Sequence, residues 1–197
     1  MALLTAVKGS ARYTVRMTYY GSKELAASFR TVRNNTLTIA NEIPESSYNF
    51  SPAPGCRTVA QTLVHIAVVW RLQNKIHITD HCSDLKNFDF FGFLGPQLAE
   101  EQVPRTKAEI IALLTSEGEK AEAMLAGLGE QLLSETVTYP PGMTPPIKSR
   151  FEMLMAIKEH EMHHRGQLMT MERMLGIKPH LTRQMEQRIA EMQAAKA

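Results

Sequence analysis

Apolar residues recur at spacings of three and four along four long stretches of the chain, which is the pattern of amphipathic helices. The first stretch covers about residues 22–42, the second begins near Thr58, the third covers about 107–128, and the fourth covers about 147–175. A shorter amphipathic stretch at 182–195 predicts a fifth helix. No segment shows convincing alternation with a period of two. The pattern therefore predicts an all-α fold, a four-helix bundle in which cofactor sites lie between facing helices.

Local sequence signals indicate two helix starts and one long connection. Thr58 with Gln61, and Thr106 with Glu109, each fit a capping box, in which a threonine hydroxyl accepts from a backbone amide three residues on. The segment 87–104 is predicted to be a loop that packs over a cluster of aromatic residues. The members of this cluster are Phe88, Phe90, Phe91 and Phe93.

The composition is that of an ordinary globular domain and excludes several classes of partner. Hydrophobic residues make up 44% of the 197 residues, charged residues make up 21%, and the formal net charge is +2. So small a charge argues against nucleic acid and anionic membrane as partners, and no apolar run reaches the roughly 18 residues of a membrane span. Cys56 and Cys82 lack Cys-x-x-Cys spacing, so we interpret them as reduced thiols in a cytoplasmic protein.

The candidate chemistry lies in the histidines, of which the chain has seven. His160 and His164 are four residues apart, so at about 100° per residue they share one face of the fourth helix. His65 lies in the middle of the apolar second helix. Three neutral nitrogen donors buried together suit zinc, nickel, cobalt, copper or ferrous iron, and they leave at least one coordination position open. The face that carries the pair is formed by Met153, Ile157, Gln167, Met171 and Leu175.

Other histidines have simpler interpretations. A single histidine on an apolar face is usually a hydrogen-bonded core residue. His77 and His81 are also four residues apart, but they lie near a helix C-terminus, where the helix dipole favours a protonated imidazole. His163 points about 60° away from His160, so we expect it to support a ligand or to lie on the surface.

The run from His160 to His164 also matches the HExxH pattern of zinc peptidases, in which the glutamate is the general base. The Gly and His residues that extend this pattern in one large peptidase group do not follow. Glu161 points about 100° away from the His160 direction, which favours a solvated or salt-bridged side chain. We therefore disfavour the peptidase interpretation.

Two segments together resemble the DinB/YfiT family of small bacterial metal-binding four-helix proteins. They are PGCRTVAQTLVHIA at residues 54–67 and HEMHHRGQL at residues 160–168. The resemblance implies a three-histidine metal site at His65, His160 and His164, holding a divalent transition metal, with zinc and nickel both acceptable. The resemblance covers a family-like domain over 19–178. Outside it, we interpret residues 1–18 as a poorly packed leader and residues 179–197 as a helical extension.

The resemblance leaves the activity open between two hypotheses. The first is a metal-dependent enzyme, a transferase or isomerase using a low-molecular-weight thiol or else a hydrolase, acting on a small-molecule substrate. The second is a non-catalytic, stress-related metal-binding protein in which the ion stabilises the fold. An open fourth position favours the enzyme, whereas a fourth protein ligand favours the structural ion. Family members are often dimers, so a homodimer is expected.

Overall fold

Helix is the dominant element in the computed structural model, which describes residues 5–8, 11–14 and 20–196. Three-residue 3₁₀ turns at 45–47 and 100–102, and a π-helical segment at Lys75–Thr79, interrupt or extend the helices. The elements in chain order are β1 Thr5–Lys8, β2 Ala11–Thr14, α1 Ser22–Glu42, α2 Val59–Val68, α3 Arg71–Asn74, α4 Phe90–Ala99, α5 Lys107–Ala126, α6 Glu130–Ser134, β3 Thr136–Thr138, β4 Ile147–Ser149, α7 Arg150–Met174 and α8 His180–Ala194.

Helices α1, α2, α5 and α7 form the bundle. Helix α1 packs against α5 and α7, and α2 packs against the same two helices. The consecutive helices α1 and α2 therefore occupy opposite corners, and α2 and α7 are neighbours. The predicted four-helix bundle is confirmed. The largest apolar cluster of its core includes Ile39, Ile43, Val59, Leu63, Ile66, Ile110, Leu114, Leu168 and Met171.

Both predicted capping boxes are present. The Thr58 hydroxyl accepts from the Gln61 amide at 3.2 Å, while the Gln61 side chain accepts from the Thr58 amide at 2.9 Å. Thr106 and Glu109 make the same reciprocal contacts at the start of α5. These contacts satisfy amides that have no partner within their own helix. The first of them places Thr58, the cap of α2, seven residues before His65.

The prediction of a loop over 87–104 is wrong, because the chain there forms α4 and a 3₁₀ turn. Asp89 caps α4 by accepting from the Gly92 amide at 2.8 Å. The glycines and Pro96 made the segment look like a loop, but Pro96 is tolerated in this short helix. No residue of α4 is buried, and Phe91 is 91% exposed. The aromatic cluster therefore does not lie wholly beneath the chain, although Phe88 and Phe90 do pack edge to face.

Short strands were not predicted. Strand β3 pairs antiparallel with β4, and β1 pairs antiparallel with β2. Segments of three or four residues are too short to show an alternating pattern clearly. Because β4 occupies 147–149, α7 begins at Arg150 rather than near 147, with Ser149 as its cap. The prediction that 1–18 is poorly packed concerns side chains outside the described residues.

The predicted fifth helix is confirmed as α8. Its first residue, His180, is buried against the bundle, whereas its residues from 183 onward are exposed. Within the part of the chain that the structure describes, no helix combines the length and hydropathy needed to cross a membrane.

Candidate metal centre

The neighbouring helices α2 and α7 bring His65, His160 and His164 together at one position between them. His65 lies in the second half of α2, and the other two occupy consecutive turns of α7. His65 and His164 are buried, and His160 is half-buried. Within the described ranges, this is the one group of three or more His, Cys, Asp or Glu side chains arranged to hold a metal ion.

The spacing of the three imidazoles fits a metal ion. The Nε2 atom of His160 lies 3.2 Å from the Nε2 atom of His65 and 3.2 Å from that of His164. Two nitrogens that are each about 2.0–2.1 Å from a tetrahedral zinc ion lie about 3.3–3.4 Å apart. These two separations are close to the one that a first-row divalent ion requires, and the three ligand atoms all lie within 4.8 Å of one another.

Hydrogen bonds on the far side of two rings determine where their protons lie. His65 Nδ1 is 2.8 Å from Glu101 Oε1, and His164 Nδ1 is 2.7 Å from Gln167 Oε1. Each of these oxygens accepts, so Nδ1 of each ring carries the proton and Nε2 presents a lone pair. Such contacts fix the tautomer and orientation of metal-binding histidines. The lone pairs of His65 and His164 therefore both point toward His160 Nε2, where a cation could be held by all three nitrogens.

The three imidazoles are held in the neutral form that metal binding needs. Burial, followed by the proximity of His164 and His65, lowers the pKa of His160 to about 3. Burial is also the main cause that lowers the pKa values of His65 and His164. The charge of Arg57 contributes to the lowered pKa of each of the three. All three side chains are therefore ready to act as ligands at neutral pH.

A second layer of side chains holds the ligands in place. Glu101, in the 3₁₀ turn after α4, is buried and pairs with Arg57 at 2.6 Å through its second oxygen. Gln167 is oriented by His163, because its amide nitrogen lies 3.2 Å from His163 Nε2. The prediction that His163 supports a ligand or lies on the surface agrees with this position. Glu101 was missed, since a residue 36 positions from His65 on another element leaves no spacing signal.

Glu161 points away from the histidines and into the bundle. Its carboxylate accepts two hydrogen bonds from Arg33 Nε, at 2.9 and 3.1 Å, and one from Nη2 at 3.0 Å. The Arg33 and Glu161 side chains are only 4% and 3% exposed. A carboxylate held in this way is not available as a general base for the metal position. The geometry therefore removes the base that the peptidase interpretation requires.

The second histidine pair does not converge. His77 Nε2 lies 2.9 Å from Gln73 Oε1, and His77 Nδ1 accepts from Arg150 at 3.1 Å. His81 instead contacts Glu135 at 2.9 Å. Burial and the Arg150 charge lower the pKa of His77 to about 4, so this imidazole is neutral. It connects the π-helical segment to the start of α7 and has a structural role.

The fold and the site together define a helical bundle that carries, between two neighbouring helices, three histidines able to hold a metal ion. The family model described as the DinB superfamily matches residues 28–168, which is more than half of the chain. The chain therefore belongs to the DinB superfamily. The family predicted from the two sequence segments is confirmed.

Individual relatives are distant. The protein is similar to YjoA from Bacillus subtilis, with 23% identity over 155 residues that cover 79% of this chain and 91% of YjoA. The crystal structure of YjoA, a DinB-like protein, matches with a TM-score of 0.56 and covers 78% of this chain and 92% of YjoA. YfiT from Bacillus subtilis matches with a TM-score of 0.61 at 17% identity, covering 86% of this chain and 96% of YfiT. YfiT is described as "a probable metal-dependent hydrolase with an unusual four-helix bundle topology".

Proposed function

We propose that the protein is a metal-dependent enzyme that holds one divalent ion, zinc or nickel, with His65, His160 and His164. The observation that carries this proposal is the convergence of three Nε2 atoms. The Nδ1 atoms of His65 and His164 are engaged by Glu101 and Gln167, and the Nδ1 atom of His160 is buried. Three neutral imidazoles accept either metal, so availability in the cell decides between them.

The coordination shell supports an enzyme over a structural ion. Structural zinc sites are closed by four protein ligands, whereas catalytic sites keep a position for water or substrate. In the described part of the chain no fourth His, Cys, Asp or Glu joins the cluster. Glu101 and Gln167, the nearest polar candidates, are engaged with Nδ1 atoms on the far sides of the rings. One of the three histidines, His160, is only half-buried.

The residues of the chain supply binding and orientation. A divalent ion at this position would supply Lewis acidity, lowering the pKa of a water or thiol and polarising an electrophile. The carboxylate of Glu101 would raise the basicity of His65 through its hydrogen bond. Gln167 would hold the His164 ring in one tautomer, and Arg33 with Glu161 would fix α7 against α2 beside the ligands. A hydrolase would use water, and a thiol-dependent transferase or isomerase would use a low-molecular-weight thiol.

The open position can be tested by substituting cobalt, which reports its ligands in the visible and near-ultraviolet spectrum. We expect 3-mercapto-1-propanol to add a sulfur-to-cobalt charge-transfer band to the cobalt protein and to change its visible bands. The same titration of a His164→Ala variant is the control and should show neither change. A cobalt protein whose spectrum does not respond to the thiol would have a closed site, and the non-catalytic hypothesis would replace the enzyme.

A further inference from the structure

Arg57 lies next to the metal centre without facing a ligand atom directly. It precedes Thr58, the cap of α2, and its side chain is 38% exposed. Its Nε donates to Glu101 Oε2 at 2.6 Å and its Nη2 donates to Glu101 Oε1 at 3.2 Å. The same Oε1 accepts from His65 Nδ1 at 2.8 Å. One carboxylate oxygen thus joins the guanidinium to a metal ligand.

Glu101 does not use all the N–H donors of the Arg57 guanidinium. A guanidinium has five N–H donors in a planar fork, and Glu101 uses Nε and one donor of Nη2. Among the residues that the structure describes, none accepts a hydrogen bond from Nη1. The Arg57 side chain is partly exposed, which is what binding of a second anion at these donors requires. The charge of Arg57 also reaches all three imidazoles, since it lowers the pKa of each.

The charge balance around the centre favours an anionic ligand. Glu101 neutralises Arg57, and the three imidazoles are neutral, so a divalent ion leaves the site with an excess of positive charge. A planar guanidinium edge matches a carboxylate in both geometry and charge. Glu101 holds the guanidinium in place, so little side-chain freedom is lost when a second anion binds.

We propose that Arg57 determines substrate class by binding a carboxylate on the substrate, while another atom of the same substrate occupies the open metal position. This inference rests on the proposed function, because it requires an open metal position. It assigns to Arg57 a direct contact with substrate, in addition to its support of Glu101. The substrate expected is a small carboxylate, or a thiol that carries a carboxylate.

A matched pair of thiols tests the contact. In the cobalt protein we expect 3-mercaptopropionate to bind about tenfold more tightly than 3-mercapto-1-propanol, as one charge-assisted contact is worth about 1.5–3 kcal/mol. Arg57→Gln should bring the ratio of the two Kd values close to one, whatever its effect on either Kd alone, because only the carboxylate thiol loses a contact; Arg57→Lys should keep part of the preference. Cobalt content is measured for each variant, so that loss of a ligand contact is not confused with loss of the ion.

Three results would overturn the inference, and they are distinguishable. A preference for the carboxylate that survives in Arg57→Gln means that another group binds the anion. Equal Kd values of the two thiols for the wild-type cobalt protein mean that Arg57 makes no contact with the carboxylate. A wild-type cobalt spectrum that responds to neither thiol means that the site is closed, which refutes the proposed function as well.

Discussion

Replacing Glu161 with Ala is expected to lower the free energy of unfolding by about 3–5 kcal/mol, because it leaves the Arg33 charge buried without its carboxylate. The ion pair reaches all four bundle helices. Arg33 on α1 contacts Glu161 on α7, the Leu114 carbonyl on α5 at 2.6 Å and the Ile66 carbonyl on α2 at 3.3 Å. Gly118 makes room for it, since a Cβ there would lie 3.0 Å from Arg33 Cγ. The measurement is urea unfolding of the metal-free variants.

A double variant separates a buried charge from a catalytic base. Replacing both partners, Arg33→Met with Glu161→Met, should restore most of the stability that Glu161→Ala loses, since no buried charge is left unpaired. If Glu161→Ala unfolds at the same urea concentration as the wild type and loses a metal-dependent peptidase activity, the structural role given to Glu161 is wrong.

The second large effect is expected from Glu172→Gln, which should remove part of the pH dependence of the free energy of unfolding. Glu172 is fully buried, and neither carboxylate oxygen has a hydrogen-bond partner among the described residues. It lies where α1, α7 and α8 meet. Burial, and then the charge of Glu42, raise the pKa of Glu172 to about 7, against the weaker opposing effect of Arg183 and Arg173. Arg183 pairs with Glu42 at 2.5 Å, and the buried imidazole of His180 faces the same junction.

The sign of the effect follows from proton binding. The folded pKa lies above the unfolded value of about 4.3, so between these values the folded chain binds more protons than the unfolded chain, and stability falls as pH rises. A shift from 4.5 to about 7 corresponds to about 3 kcal/mol. We therefore expect wild type to lose about 3 kcal/mol more than Glu172→Gln between pH 4 and pH 8.

The comparison is made by urea unfolding of metal-free protein at the two pH values. Other titrating groups, including the three site histidines, contribute equally to both proteins and cancel in the difference. A Glu172→Gln variant with the same pH dependence as the wild type would show that Glu172 ionises normally in the folded chain.

The parts of the fold that follow local rules could be predicted from the sequence. The four bundle helices have apolar faces with a helical period, and Thr58 and Thr106 cap helices as expected because a capping box is complete within four residues. The segment that forms α4 could not be predicted, because its glycines and proline resemble a loop and its helix buries no residue. Strands β3 and β4 depend on a pairing between distant segments, which leaves no local pattern.

The same division applies to the site. His160 and His164 were found because their spacing places them on one helix face, and His65 because it is polar in an apolar helix. The helical spacing predicts that the Glu161 side chain points away from His160. It does not predict the partner of that side chain, because Arg33 lies 128 positions away in the sequence. Glu101 and Arg57 belong to the centre because the 3₁₀ turn after α4 lies against α2. No local sequence pattern indicates this contact.

The metal content of the purified protein tests the central claim most directly. Elemental analysis is made on wild type, His164→Ala and the control His81→Asn, which changes an exposed histidine outside the cluster, all purified without a histidine tag. We expect about one equivalent of a divalent transition metal in wild type and in His81→Asn, and none in His164→Ala. Equal metal in all three proteins, or none in any, would contradict the three-histidine centre and return His65, His160 and His164 to the role of core residues.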